Sequence, residues 1–124
     1  MAKATLIVRI LMGAMLIVFG LNKFLQFMSM PPPAPEMGAF MGALFATGYI
    51  FPLIAVIEIA TGILFLANKF TALAAIFLFP VMLNAFLAHL FLDPAGIGAA
   101  ALIISMNVFL FYANKEKYNE VLKA

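Results

Sequence analysis

Residues 70–92, FTALAAIFLFPVMLNAFLAHLFL, run for 23 positions without an Asp, Glu, Lys or Arg. A helix needs about 20 mostly apolar residues to cross the hydrocarbon of a bilayer, and this stretch is long enough. Its neighbours repeat the pattern. Residues 94–114 are uncharged for 21 positions, separated from the first stretch by Asp93 alone, and residues 37–57 are uncharged for another 21. Working outward, the chain divides into four spans, at about 5–27, 50–67, 71–92 and 97–113. The first carries Arg9 and Lys23 within it, and the second carries Glu58. The reading is an all-α polytopic membrane protein. It is a four-transmembrane-helix up-down bundle of one domain, with a short interfacial or re-entrant helix between spans one and two.

Composition agrees. The 124 residues are 67% hydrophobic and 10% charged, with mean hydropathy +1.18. Soluble domains are about half apolar and about a quarter charged, so this chain lacks the charge to coat a surface facing water. The absence of cysteine excludes disulfides, thiol redox chemistry and thiolate metal sites. A net charge of +2 is too small for a nucleic-acid footprint. No phosphate-binding glycine loop, dinucleotide motif or zinc-protease motif is present, and no His/Cys/carboxylate cluster suggests a metal site.

The breaks between spans are legible. Ser29–Pro35 (SMPPPAP) cannot be helical, because successive prolines remove donors and clash with the preceding turn. Asn68-Lys69 and Asp93–Gly96 separate the later spans. Residues 36–47, EMGAFMGALFAT, are apolar but short. Joined to span two they would make a helix too long to stand upright, so a separate short helix turning at Gly48 is expected, with one long tilted helix as the alternative. Lys3, Lys69, Lys115, Lys117 and Lys123 fall on one side of a four-span chain, and Glu36 and Asp93 on the other. The Lys/Arg bias places both termini in the cytoplasm, in a prokaryotic inner membrane. No small-residue cleavage site precedes the prolines, so span one is read as retained rather than as a signal peptide. The polar tail, residues 114–124, reads as a short surface helix, and no internal repeat is visible.

Ionisable groups within spans are costly, at about +2.5–3.5 kcal/mol each on insertion scales, and usually face the bundle interior. Arg9, Gly13, Leu16, Gly20 and Lys23 form one stripe of span one. The glycines permit close backbone approach. The cations either point inward or snorkel to the two surfaces. Glu58 lies near mid-depth, with Lys23 as its nearest candidate partner and Gly62 one turn away for close packing. The pair is open to two readings, a register-setting ion pair or a ligand and proton site. His89 is the single histidine, either a structural hydrogen bonder or a ligand. Asn84 lies about 140° around the same helix, so both face one point only if the helix is distorted. Pro80 removes a donor upstream. Asn107 and Ser105 are candidate interhelical hydrogen bonders, with Asn107 at the depth of Arg9 and a candidate partner for it. Gly38 and Gly42 make a small-residue stripe for packing. Met28, Met30, Met37 and Met41 gather around the proline loop, as Cu(I) thioethers or as ordinary apolar filler. Some of the 14 phenylalanines are candidates to line a pocket for a flat apolar ligand.

Arg9-Ile-Leu-Met-Gly13 with Phe19-Gly20-Leu21-Asn22-Lys23, Gly48-Tyr49 with Pro52 ahead of Glu58-x-x-x-Gly62, and Asn84 with His89 follow one another in order along the chain. Together they resemble the DoxX and DoxX-like family of small membrane proteins. The resemblance implies a four-helix membrane bundle with Arg9, Lys23, Glu58 and His89 as its polar positions. The family takes its name from a small subunit linked to archaeal quinol oxidase and thiosulfate:quinone oxidoreductase systems. Other members resemble accessory or assembly components of membrane redox complexes. Relatives that act through cysteine pairs exist, and that chemistry does not carry over to a chain without cysteine.

The functional expectation is a small accessory subunit of a respiratory or other membrane oxidoreductase, not catalytic alone, contacting quinone but carrying no cofactor of its own. The alternative is a non-enzymatic assembly or scaffold protein that binds partner helices or a lipophilic ligand. A third reading, a small transporter, requires the chain to oligomerise around a path. The expected partners are the lipid bilayer and other membrane subunits, with no nucleic acid.

Overall fold

A computed structural model describes residues 2–29 and 31–124. It contains helices α1 (Ala2–Leu25), α2 (Pro35–Ala46), α3 (Ile50–Ala67), α4 (Thr71–Leu92) and α5 (Ile97–Ala113), with short 3₁₀ turns at Pro94–Gly96 and Lys115–Tyr118. Helices α1, α3 and α4, and α5 with the turn before it, are each long and apolar enough to span a bilayer. Met30 lies outside the described residues, so the methionine group cannot be placed as a whole; Met37 is buried and Met41 is not.

Local chemistry sets the boundaries. Helix α1 stops two residues before the expected end because Gln26 takes a left-handed φ of 50°. The Asn22 side chain then accepts from Met28 N at 2.9 Å and holds the exit. Pro35 opens α2, where its missing N–H costs nothing. Gly48, at φ 79°, turns the chain between α2 and α3, so these are two helices. Thr47 Oγ1 donates to Leu44 O at 2.6 Å and accepts from Ile50 N at 3.2 Å, tying the end of one helix to the start of the next. Asn68 ends α3 in the left-handed conformation that asparagine tolerates. Pro80 is accommodated inside a continuous α4.

The core joins Met12 and Leu16 of α1, Phe65 of α3, Ala74, Ala75, Leu78 and Met82 of α4, and Met106 and Leu110 of α5. Large apolar side chains such as Leu6, Leu11, Leu53, Val56, Phe77, Leu102 and Val108 point outward. That surface suits lipid and would be untenable in water. The closest helix pair is α1 with α3. A Cβ on Gly13 would lie 2.9 Å from Gly62 O, a Cβ on Gly62 would lie 2.8 Å from Gly13 O, and one on Gly20 would lie 3.1 Å from Ala55 O. In lipid, where apolar burial gives helices no reason to prefer one another, this backbone proximity supplies the association.

Several expectations are corrected. Gly38 and Gly42, a stripe suited to tight packing or to a partner helix, meet no other helix of this chain: a Cβ on Gly42 would meet nothing within 4 Å, and one on Gly38 only Pro33 Cγ at 3.8 Å. Helix α2 buries Met37, and Gly42 lies about 140° around it. The tail forms a 3₁₀ turn rather than a surface α-helix. It folds back so that the Tyr118 hydroxyl donates to Ala72 O at 2.8 Å, while Thr71 Oγ1 bonds Asn114 Oδ1 at 3.1 Å. Ser105 bonds Ala101 O of its own helix at 2.7 Å and is exposed. Asn107 bonds across to Ala75 O of α4 at 3.3 Å and does not partner Arg9.

Replacing Gly62 or Gly13 by Val forces the two backbones apart, and each variant is expected to lose about 1–3 kcal/mol of stability in detergent. Gly42→Ala is expected to stay within about 0.5 kcal/mol. Thermal unfolding in one detergent at fixed protein-to-micelle ratio checks both.

Candidate functional site

The antiparallel register set by Gly13 and Gly62 carries the ends of the α1 stripe to the two ends of α3. At one end, Arg9 Nη1 donates to the carbonyls of Phe65 and Leu66 in the last turn of α3, where the negative end of the helix dipole favours a cation. Arg9 is therefore turned inward, half-buried and well separated along the bundle from Lys23. At the other end, Lys23 Nζ donates to Glu58 Oε1 at 2.6 Å. Glu58 is 5% exposed, and the Lys23 side chain retains 26% of its exposure.

This ion pair stands in the wall of a cavity of about 410 Å³ to which all five helices contribute. Phe19 and Lys23 come from α1, Phe45 from α2, Phe51 and Glu58 from α3, His89 from α4 and Ile103 from α5. The Phe45 and Phe51 rings meet at 6.0 Å between centroids, tilted by 52°. His89 enters from the end of α4, and its Nδ1 is buried with no hydrogen-bond partner among the described residues. The imidazole fits because residue 96 is glycine: a Cβ there would lie 3.0 Å from His89 Nδ1 and 3.1 Å from Cε1. The Asp93 carboxylate accepts from Ala34 N at 3.4 Å, joining the α4–α5 turn to the start of α2. Helix α2 thus covers one side of the cavity.

Of the residues singled out from sequence, Lys23, Glu58 and His89 meet in one cavity. Asn84 is corrected: it is exposed, about 140° around α4 from His89, and does not line the cavity. Arg9 belongs to the opposite end. Sequence reasoning missed Gln26 and did not place Asn22 or Met41 in a pocket, and all three line the cavity. Asn22 sits beside Lys23 and its polarity was a usable signal, whereas Met41 depends on where α2 folds. The expectation that phenylalanines line a pocket is met by Phe19, Phe45 and Phe51.

The DoxX family profile matches residues 4–90, well over half of the chain. The chain belongs to the DoxX family. The match takes in Lys23, Glu58 and His89 and stops inside α4, so the α5 wall of the cavity lies beyond it. Among curated proteins and among solved structures, none matches the chain significantly. DoxX membership together with four spanning helices makes this a small integral membrane protein.

A buried charge that loses its partner costs far more than a pair replaced by apolar groups of similar size. Lys23→Met alone is expected to destabilise the protein by about 3 kcal/mol or to leave Glu58 protonated. The double variant Lys23→Met, Glu58→Leu is expected to recover most of that stability. Unfolding of the wild type, both single variants and the double variant gives the coupling directly.

Proposed function

We propose that this DoxX protein is a small accessory subunit of a membrane oxidoreductase and holds a quinone-type ring in the five-helix cavity. The observation that carries this reading is the convergence of Lys23, Glu58 and His89 on one apolar, aromatic-walled space. Its volume of about 410 Å³ falls in the range of small-molecule sites, about 300–1,000 Å³. A quinone presents two carbonyl acceptors on a flat apolar ring. Lys23 retains donors beyond the one given to Glu58, and the neutral His89 imidazole supplies another in the tautomer that carries its N–H on Nδ1. The phenylalanines match the ring faces. When bound, a quinone supplies two-electron redox chemistry, with the electrons coming from a redox centre on a neighbouring subunit. Glu58, the carboxylate partner of Lys23 at the cavity wall, is suited to take up a proton and pass it on to a reduced ring oxygen.

In the same reading, the end bearing Lys3, Lys69, Lys115, Lys117 and Lys123 faces the cytoplasm and places both termini there, in a prokaryotic inner membrane. The unpacked Gly42 favours a second reading, in which α2 seats a helix of another chain and the protein acts as a scaffold. The ion pair is then structural only.

Binding of a short-chain benzoquinone to the purified protein separates the two. Under the first reading, Glu58→Gln and His89→Phe each weaken binding by about tenfold, the value of one lost hydrogen bond to the ligand. Affinity unchanged in both folded variants overturns the site. Native mass spectrometry of gently extracted protein is expected to show it attached to redox subunits; a self-assembly alone removes the subunit role.

A further inference from the structure

The end of the bundle opposite the cavity carries a second concavity, of about 470 Å³, between the first turns of α1, the end of α3 and the end of α5. It is lined by Ala2, Thr5, Leu6, Arg9, Asn68 and Ala113. The Arg9 guanidinium bonds α3 through Nη1 alone, which is spent on the Phe65 and Leu66 carbonyls. Those bonds hold the planar group in place. Nε and Nη2, with three N–H donors between them, make no hydrogen bond to the described residues. No acidic side chain pairs with Arg9 among the described residues. Six of the seven Lys and Arg residues lie at this end, with two acids, Glu116 and Glu120. Glu120 is itself paired with Lys123 at 3.2 Å. The concavity therefore presents a fixed, unneutralised guanidinium fork beside a hydroxyl and an amide. Leu6, which lines the concavity, and Ile10, next to Arg9, leave exposed apolar surface on α1 beside it.

We propose that Arg9, with Thr5 and Asn68, binds the phosphate of an anionic phospholipid, whose acyl chains lie along the exposed Leu6 and Ile10 of α1. The chemistry is specific. A guanidinium anchored through one nitrogen offers the other two as a bidentate pair to phosphate oxygens. Basic pockets between spanning helices at the membrane surface suit lipid head groups in this way. The surrounding lysines raise the local concentration of anionic lipid, and the exposed apolar surface distinguishes a lipid from free phosphate.

The test is native mass spectrometry of the full chain in detergent, titrated with phosphatidylglycerol or phosphatidylcholine of equal chain length. Wild type is expected to retain one phosphatidylglycerol about tenfold more tightly than phosphatidylcholine. Arg9→Gln abolishes that preference. If Arg9→Gln does not fold, Thr5→Asp decides: it leaves the bonds from Arg9 to α3 in place and sets a carboxylate where the phosphate would sit. Lys117→Gln changes the net charge equally and is expected to keep the preference. Preference that survives Thr5→Asp, or that Lys117→Gln reduces as much, overturns the site. Inorganic phosphate added at millimolar concentration distinguishes the source of the anion. Failure to displace the lipid identifies a phospholipid site. Displacement keeps the anion site but overturns the lipid as its ligand.

Discussion

The contact between Gly13 and Gly62 is the constraint on which the remaining arrangement depends. Each glycine lies where a Cβ would collide with the other's carbonyl, so α1 and α3 run backbone against backbone. That single register decides what the ends of the α1 stripe can reach. Arg9 comes level with the last turn of α3 and bonds the carbonyls of Phe65 and Leu66. Seven residues beyond Gly13, Gly20 brings the helices together again beside Ala55 and Ile59, and Lys23 then reaches back to Glu58. A shift of one turn would leave a cation facing lipid and a carboxylate buried without a partner, each at a cost of several kcal/mol.

The cavity is a consequence of that tight contact combined with a looser one. With α1 and α3 in close contact, the remaining space falls toward α4 and α5, where alanines such as Ala85, Ala99 and Ala100 leave room. Helix α2 covers the gap, held at its start by Asp93 and at its end by the Thr47–Gly48 turn. The groups facing the space are those a lipid-filled interior would reject, and they satisfy one another only in part. Lys23 and Glu58 pair, whereas His89 Nδ1 is left without a partner. A buried unpaired nitrogen is a standing cost that a ligand acceptor would remove.

The two ends of the molecule differ in charge and in chemistry. One carries most of the cations and the concavity at Arg9; the other carries Glu36, Asp93 and the cavity with its ion pair. This polarity keeps the two proposed sites, one for an anionic head group and one for an apolar ring, at opposite ends of the bundle.

The four spans were legible from residue types alone, because a bilayer demands about 20 apolar residues per crossing and this chain has nowhere to hide its charges. The proline loop, the break at Gly48 and the Lys23–Glu58 pair followed from the same reasoning, since a mid-span carboxylate needs a cation at matching depth. Rotation about the helix axes and the seating of α2 were not legible. Asn107 turned to Ala75 rather than to Arg9, Asn84 faced outward, and Gly42 was left uncovered. A helical period states which residues share a face but not which neighbour that face meets, and the apolar helices α3, α4 and α5 show almost no periodicity to begin with. Sequence by itself determined the spans, their polar residues and one ion pair, because those are set by local solvation. The convergence of His89 with Lys23 and Glu58, and the free side of the Arg9 guanidinium, were decided only by tertiary packing, because each depends on how three or more helices meet.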